Sequence, residues 1–199
     1  MATRPSFPTD HEPTIAVRPA YGRYDDLATI VGTQRPGAGA CWCMSYRDSR
    51  VANADRPGYL RDECTTAPGP GVLVYVDDVV AGWCSIAPRR SYRRLLNSRT
   101  IPILDDADVW PAVCFVVRAG YRKRGLAHHL LAGAVEHARG HGAEVVEGYP
   151  VETAGGRVDV ISGYVGSVEL FEAAGFERVA PTTAHSGGRS RWVMRLDLR

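Results

Sequence analysis

The amino-acid sequence predicts an α/β fold in which helices cover both faces of a mixed, mostly antiparallel sheet. Two observations carry this prediction. Near the middle of the chain, two apolar runs flank the acidic pair Asp77-Asp78, as the strands of a hairpin flank a tight turn. From Val109 onwards, strand-like and helix-like segments alternate. Strand hairpins that are followed by alternating strands and helices give a mixed sheet with helices on both faces.

The chain begins with a segment from Met1 to about Pro13 that holds three prolines and no apolar period, so a flexible arm is expected there. Thr14–Arg18 then alternates as a strand does. Asp25 or Asp26 is expected to cap the short helix that follows. The apolar face of that helix consists of Leu27, Ile30 and Val31.

The next two segments are rich in cysteines and polar residues. Cys41–Arg47 alternates with a period of two, which predicts a strand with Cys41 and Cys43 on one face. Arg47–Cys64 is polar, and its central pair Pro57-Gly58 predicts two short helices joined by a turn.

The central hairpin is predicted to consist of Gly71–Val76 and Val79–Ile86, joined by the acidic turn. Pro88–Asn97 follows as a basic helix, because proline suits the first turn of a helix. Asn97–Asp108 is expected to form a loop.

Val109–Arg118 is an almost continuous β-rich apolar run, which is typical of a strand buried on both faces and hence central in its sheet. A helix with a regular apolar stripe opens at Gly125 and ends at Gly140 and Gly142. The next strand is predicted at Glu144–Tyr149.

The C-terminal part of the sequence starts with a glycine-rich loop, Val151–Gly163. Ser167–Ala174 is predicted to be a helix that stops at Gly175, where a left-handed residue is favoured. Phe176–Val179 and Trp192–Leu198 are expected to be the closing strands.

Composition limits the classes of protein to be considered. With 199 residues, of which 45% are hydrophobic and 23% charged, the chain is expected to form one soluble domain over residues 14–199. A net charge of +2 gives no general attraction to nucleic acid or to a membrane surface. No apolar run reaches the ~18 residues of a membrane span, and the N-terminus lacks a signal-peptide core. The odd count of five cysteines argues against a secreted disulfide framework, so a cytoplasmic protein is expected.

The segment most informative about function is Val116–Ala127, in which a buried strand runs through three basic residues into a helix. The first turn of a helix carries unpaired N–H groups and a partial positive charge. Gly125 lets a ligand approach the backbone. The pattern therefore predicts a phosphate or diphosphate site. A solvated basic turn is the structural alternative.

Two motifs in this part of the chain resemble those of the GNAT superfamily of acyl-CoA-dependent N-acetyltransferases. Arg122–Ala127 matches the family pattern Gln/Arg-x-x-Gly-x-Gly/Ala, and Leu170–Phe176 resembles its Leu-Tyr-x-x-x-Gly-Phe. The order of elements from about Thr14 to Arg199 also resembles the family fold, which implies a splayed central strand pair, here Val109–Val117 and Glu144–Tyr149.

The resemblance implies acetyl-CoA as co-substrate. No metal is expected, because the cysteines lack the spacing of a four-ligand site. The central strand would pair with the pantetheine arm through Cys114–Val117, and an N–H near Phe115 or Val116 would polarise the thioester carbonyl. The motif loop would bind the diphosphate. The expected cofactor-binding residues are Phe115, Val116, Val117, Arg122, Lys123, Arg124, Gly125, Leu126 and Ala127.

Catalysis by such a protein requires a neutral amine and a departing thiolate. Glu147 is the first candidate for the base, because a carboxylate flanked by apolar residues on the strand beside the gap would have a raised pKa. An outward-facing carboxylate in a surface pair is the alternative. Phe171 stands where the family has its tyrosine acid, so a donor must come from elsewhere. Tyr164 is preferred, and Ser167 and Tyr149 are alternatives, as is unaided departure of the thiolate.

Other groups receive structural interpretations. His137 and His141 are expected to cap a helix end rather than bind a metal. The cysteines are interpreted as small buried hydrophobes. A solvated basic face is expected for Arg89, Arg90, Arg93 and Arg94, with contact to the 3′-phosphate of CoA or to an acidic substrate as the alternative.

The sequence thus predicts an enzyme that transfers an acetyl group from acetyl-CoA to a primary amine by direct attack in a ternary complex. The acceptor is a small-molecule or peptide amine, and a monomer or homodimer is expected. The competing hypothesis is a CoA-binding regulatory protein with little turnover, since Phe171 replaces the tyrosine.

Overall fold

A computed structural model describes residues 12–33, 40–153 and 162–199 of the chain. The strands of this part join into one seven-stranded sheet with the order β1-β2-β3-β4-β5-β7-β6. They are β1 (Ile15–Pro19), β2 (Gly71–Val76), β3 (Val79–Ile86), β4 (Val109–Val117), β5 (Val145–Gly148), β6 (Glu177–Ser186) and β7 (Arg189–Asp197).

The sheet is antiparallel except at its centre, where β4 and β5 run parallel. This parallel pair is short. It extends from Val109 opposite Val145 to Ala112 opposite Gly148. From Val113 to Val117, β4 continues with a ladder partner only on the β3 side among the described residues. The predicted fold class, a mixed and mostly antiparallel sheet with a splayed central pair, is therefore confirmed.

Helices lie on both faces of the sheet, as predicted. They are α1 (Tyr24–Val31), α2 (Arg56–Thr65), α3 (Arg93–Leu96), α4 (Leu126–Arg139) and α5 (Val168–Ala173). Leu27 of α1 and Leu60 of α2 pack with Trp83 in one core. Leu130 of α4 and Phe171 of α5 belong to the core on the opposite face. Short 3₁₀ turns occupy Arg89–Ser91, Ala119–Tyr121 and Ser162–Val165.

The longest helix, α4, follows the predicted pattern closely because its apolar stripe faces the sheet. Leu130, Leu131 and Ala134 are fully buried. Gly133 allows the helix to approach β1, since a Cβ at this position would overlap the side chain of Val17. The helix begins directly after Gly125, as the sequence predicts.

The prediction of a strand at Cys41–Arg47 is wrong, because this segment forms consecutive turns. Trp42 and Cys43 have φ values of 49° and 57°, which no pleated strand allows. The side chains that alternate in the sequence anchor the loop instead. Trp42 stacks on Tyr24 with ring centroids 6.4 Å apart, and Cys43 and Met44 are buried.

Two helix predictions need correction. Pro57-Gly58 lies in the first turn of α2 rather than in a turn between two helices. Proline is tolerated there because the N–H groups of the first turn have no partner within the helix, so the missing N–H of proline costs nothing. Helix α1 begins at Tyr24, and Arg23 precedes it without a side-chain cap. Asp26 lies inside the first turn, where it accepts a hydrogen bond from Tyr75 Oη at 2.7 Å.

The prediction of a single helix over Pro88–Asn97 is wrong, because this basic segment after the hairpin forms two short helical pieces. It consists of the 3₁₀ turn Arg89–Ser91 and the four-residue helix α3, with Tyr92 between them. Tyr92 is fully buried, and its φ and ψ of −114° and 75° are not helical.

The C-terminal hairpin is longer than predicted, since β6 and β7 continue to the turn at Gly187 and Gly188. Both glycines have positive φ values, 57° and 74°. Most of the arm expected up to about Pro13 and most of the loop expected at Val151–Gly163 lie outside the described residues. None of the described helices has the length and apolar character needed to cross a membrane.

Candidate active site

The fork between β4 and β5 is the first element of the site. Pairing ends at Ala112 and Gly148, and the edge of β4 from Val113 onwards faces the gap. Phe115 is buried toward the α4 face, whereas Val116 and Val117 are half-buried. A strand edge without a partner offers N–H and C=O groups to an extended ligand, as a neighbouring strand would use them.

A loop at the start of α4 is the second element. Gly125 has φ 74° and ψ 1°, and the space beside it is open, since a Cβ would meet nothing within 4 Å. The N–H groups of Gly125, Leu126 and Ala127 have no hydrogen-bond partner in the described part of the chain. Three convergent donors at a helix N-terminus are suited to binding a phosphate.

Basic side chains surround these donors. Arg122, Lys123 and Arg124 are exposed, and Lys123 has a positive φ of 62° that turns the loop into the helix. Arg122 Nε donates to the carbonyl of Val117 at 3.0 Å, which ties the loop to the end of β4. The strand edge and this loop, the candidate phosphate cradle, are therefore continuous.

A cavity of about 560 Å³ lies against the face of β4 that is turned away from α4. Val113, Cys114 and Val116 line its floor, and Tyr164 lies at its wall. The remaining lining comes from the loop after α1, from the segment around α3 and from the end of the β6–β7 hairpin. The volume suits a small molecule.

The comparisons with known proteins agree with this geometry. Residues 40–154 match the model of the acetyltransferase (GNAT) family. The chain belongs to the GNAT family of acetyltransferases. The sequence matches none of the curated proteins.

Solved structures with the GNAT fold resemble the chain over almost its whole length. yncA from Salmonella typhimurium, solved with its cofactor acetyl-CoA, is 17% identical, with 93% of this chain and 94% of that chain covered and a TM-score of 0.55. A GNAT acetyltransferase from Bacillus cereus is 16% identical, with 94% and 99% covered and a TM-score of 0.54. One from Streptococcus pneumoniae is 14% identical, with 94% and 100% covered and a TM-score of 0.54. At these identities the likeness concerns the fold.

Phe171, which replaces the tyrosine of the GNAT motif, is fully buried at the fork. Its ring contacts Phe115 and Phe176 edge-on, with centroids 5.9 and 4.9 Å away. It also fills the space beside Gly148 and Gly166. The residue is a packing element of this GNAT domain.

The prediction that the Glu147 carboxylate has apolar surroundings is wrong. The carboxylate is fully buried, but its neighbours are polar rather than apolar. Oε1 accepts hydrogen bonds from Arg89 Nη2 at 2.5 Å and from Tyr149 Oη at 2.6 Å, while Oε2 accepts from Arg195 Nε at 2.7 Å. Glu147 does not line the cavity. The ion pairs explain how a carboxylate is accommodated in the interior.

This ion-pair network also corrects the view of Arg89 as part of a solvated basic face. Only 12% of its side chain is exposed, because the 3₁₀ turn directs the guanidinium to Glu147. Arg93 and Arg94 are exposed, and Arg94 lines the cavity. Arg195 continues the network to Asp105 and lowers the pKa of that carboxyl through their hydrogen bonds.

The candidate proton donors occupy three different environments. Tyr164 is exposed and lines the cavity together with Cys114. Tyr149 is buried and donates to Glu147, and burial raises the pKa of its phenol well above the ordinary value. Ser167 caps α5, where its side chain accepts from the N–H of Leu170. Of the three, Tyr164 alone lines the cavity.

Two thiols meet on the cavity wall. Cys43 Sγ lies 3.6 Å from Cys114 Sγ, and Trp83 Nε1 donates to Cys43 Sγ at 3.0 Å. Contact with the Cys114 thiol, together with the Trp83 donor, lowers the pKa of Cys43. The same contact and burial raise the pKa of Cys114 well above its ordinary value, which makes it a poor nucleophile.

The helix-end histidines take separate roles. His141 Nδ1 lies 2.8 Å from the carbonyl oxygen of His137, in agreement with the predicted capping role. His137 is buried beside Trp110, and its Nε2 has no hydrogen-bond partner among the described residues. Burial lowers the pKa of His137 to about 4.

Sequence reasoning missed Arg191 and Tyr46, which face each other across the cavity wall. Arg191 Nη2 donates to Tyr46 Oη at 2.6 Å, and both residues line the cavity. They are far apart in the chain and match no motif. Arg191 directly precedes the predicted strand Trp192–Leu198, so the predicted elements gave no signal for its role.

Proposed function

We propose that the protein transfers an acetyl group from acetyl-CoA to the amine of a small molecule by direct attack in a ternary complex. The observation that carries this proposal is the position of Val113–Val117. One edge of this stretch opens to the fork and phosphate cradle, and Val113, Cys114 and Val116 form the floor of the cavity. A thioester bound along β4 would therefore meet an amine held in the cavity.

The residues of the chain supply binding, polarisation and a proton. The N–H groups of Gly125, Leu126 and Ala127 bind the diphosphate, with countercharge from Arg122, Lys123 and Arg124. The backbone of Phe115, Val116 and Val117 holds the pantetheine arm. An N–H near Phe115 or Val116 stabilises the oxyanion that forms on attack.

In the transfer itself, a carbon–nitrogen bond forms and the carbon–sulfur bond breaks. We assign Tyr164 as the donor that protonates the departing thiolate, because this residue lines the cavity and is exposed. The amine releases its proton to solvent in the open cavity, and solvent returns a proton to the Tyr164 phenolate. The base role of Glu147 stays a prediction, and its bonded oxygens favour a positioning role for this residue instead.

The decisive experiment measures CoA release from acetyl-CoA with a panel of small primary amines, N-terminal peptides and lysyl peptides, with product masses as confirmation. Release with small amines supports the proposal. Tight binding of CoA without release from any acceptor would favour the regulatory alternative. An acetylated protein after incubation with acetyl-CoA alone would contradict direct attack.

A further inference from the structure

The cavity carries positive charge without a compensating carboxylate. Arg94 and Arg191 are its charged lining residues, and no aspartate, glutamate or histidine lines it within the described parts of the chain. A concave surface with charges of one sign concentrates ligands of the opposite sign. The positive charge of the cavity therefore favours an acceptor that carries negative charge.

Arg191 is unusual because it is a buried cation without an ionic partner. Only 7% of the residue is exposed, and no carboxylate of the described residues lies within ion-pair distance. Arg47, which is also buried, forms an ion pair with Glu63 at 2.5 Å. Burying a charge without a partner is costly, so a counterion is expected at Arg191.

Three contacts hold the guanidinium in one orientation. Its Nε donates to the carbonyl of Tyr149 at 2.7 Å, its Nη2 donates to Tyr46 Oη, and its Cζ lies 5.9 Å from the Tyr46 ring centroid. Nη1 has no partner among residues 12–33, 40–153 and 162–199. A fixed guanidinium with free donors is suited to bind a carboxylate or phosphonate oxygen pair.

We propose that the acceptor carries an anionic group, of the carboxylate or phosphonate class, which Arg191 binds while the amine of the same molecule meets β4. This inference rests on the proposed acetyl transfer and names its acceptor class: a small amino acid-like anion rather than a neutral amine or a polyamine. Arg94 at the rim adds to the attraction, since it is exposed and its guanidinium, within the described part of the chain, donates to the carbonyl of Ser45 and pairs with no carboxylate.

The test compares amino carboxylates of graded chain length with their primary amides, which have nearly the same size and lack the charge. We expect kcat/KM for the best acid to exceed that for its amide by about 10- to 100-fold, the effect of one charge-assisted hydrogen-bonded contact. Equal values for acids and amides would overturn the inference while leaving acetyl transfer intact.

Variants of Arg191 test whether this residue causes the preference for acids over amides. Arg191→Gln is expected to abolish the preference for acids, and Arg191→Lys to retain part of it. Arg178→Gln is the matched control, since it removes one positive charge from β6, where Arg178 pairs with Glu152 and Glu172. An unchanged acid preference in a folded Arg191→Gln protein would contradict the assignment.

Binding measurements separate this inference from the proposed function. If no amine releases CoA, calorimetric titration of the wild-type protein with the same acids and amides still tests the anion site. Binding of acids but not amides, lost in Arg191→Gln or weakened in Arg191→Lys, supports the site even if acetyl transfer fails. Absence of acid binding together with absence of turnover would overturn both.

Discussion

The ring of Phe171 occupies the space that a side chain at Gly148 would need. Gly148 is the last residue of β5 to pair with β4, so the ring closes the fork just where the two strands separate. The residue that replaces the tyrosine of the family motif therefore shapes the opening of the site, although it has no proton to donate.

Gly148→Ala is expected to destabilise the protein by about 1–3 kcal/mol, because the added methyl group must displace a fully buried ring. Urea denaturation measures the change. Gly58→Ala in α2 is the control, since nothing lies within 4 Å of its Cβ position, and a slight gain in stability is expected there. If the ring is the cause, Phe171→Leu should recover part of the loss in a double variant.

Gly125→Glu is expected to abolish CoA binding, since it places bulk and negative charge where the diphosphate would bind. Isothermal titration with CoA measures the affinity. Gly142→Glu is the matched control, because Gly142 has a similar φ of 79° and open surroundings at the other end of α4. Comparable losses of CoA affinity in both variants, or none in Gly125→Glu, would contradict the diphosphate assignment.

Glu147→Gln is expected to cost about 3 kcal/mol of folding free energy, because two largely buried guanidinium groups lose their shared carboxylate. Glu172→Gln, at an exposed ion pair with Arg178, should cost less than about 1 kcal/mol. The pH–rate profile of the variant tests the base role separately. A profile of wild-type shape argues for positioning, whereas a selective loss of rate at low pH supports general-base catalysis.

Tyr164→Phe is expected to lower kcat by about tenfold or more with little change in the KM for acetyl-CoA, because it removes the hydroxyl assigned as proton donor. Tyr21→Phe serves as control, since Tyr21 is exposed and does not line the cavity. Steady-state rates of CoA release give the answer. A kcat equal to that of the wild type would mean that the thiolate leaves unaided.

The parts of the fold that the sequence predicted are those with local causes. The turn at Asp77-Asp78 and the start of α4 after Gly125 depend on residues close together in the chain. The loop around Cys43 could not be predicted, because its alternation reflects burial against α1 and β3 rather than pleating.

In the candidate site, too, features formed by one segment could be predicted, whereas features that join distant segments could not. The loop that is proposed to bind the diphosphate could be located from the sequence, because a single segment forms it and α4 begins directly after Gly125. The partners of Glu147 come from a 3₁₀ turn and from β7, so no local pattern indicated them. The charge of the cavity depends on Arg191, which becomes part of the site only when β7 inserts between β5 and β6.

His137 is expected to make stability depend on pH. Burial holds its pKa at about 4 in the folded state, whereas the unfolded chain has the ordinary value of about 6.5. Between these values the unfolded state binds more protons, so the free energy of unfolding rises with pH and levels off above about 6.5. The loss on going from pH 7.5 to pH 5 is expected to be about 2 kcal/mol.

Urea denaturation at the two pH values measures this loss. In His137→Phe the ring contact with Trp110 is kept but the titrating group is gone, so the loss should shrink by most of that amount. His129→Gln, at an exposed position of the same helix, should behave as the wild type does. If His137→Phe kept the full pH dependence, its source would lie in other groups, with the paired carboxylates as the first to examine.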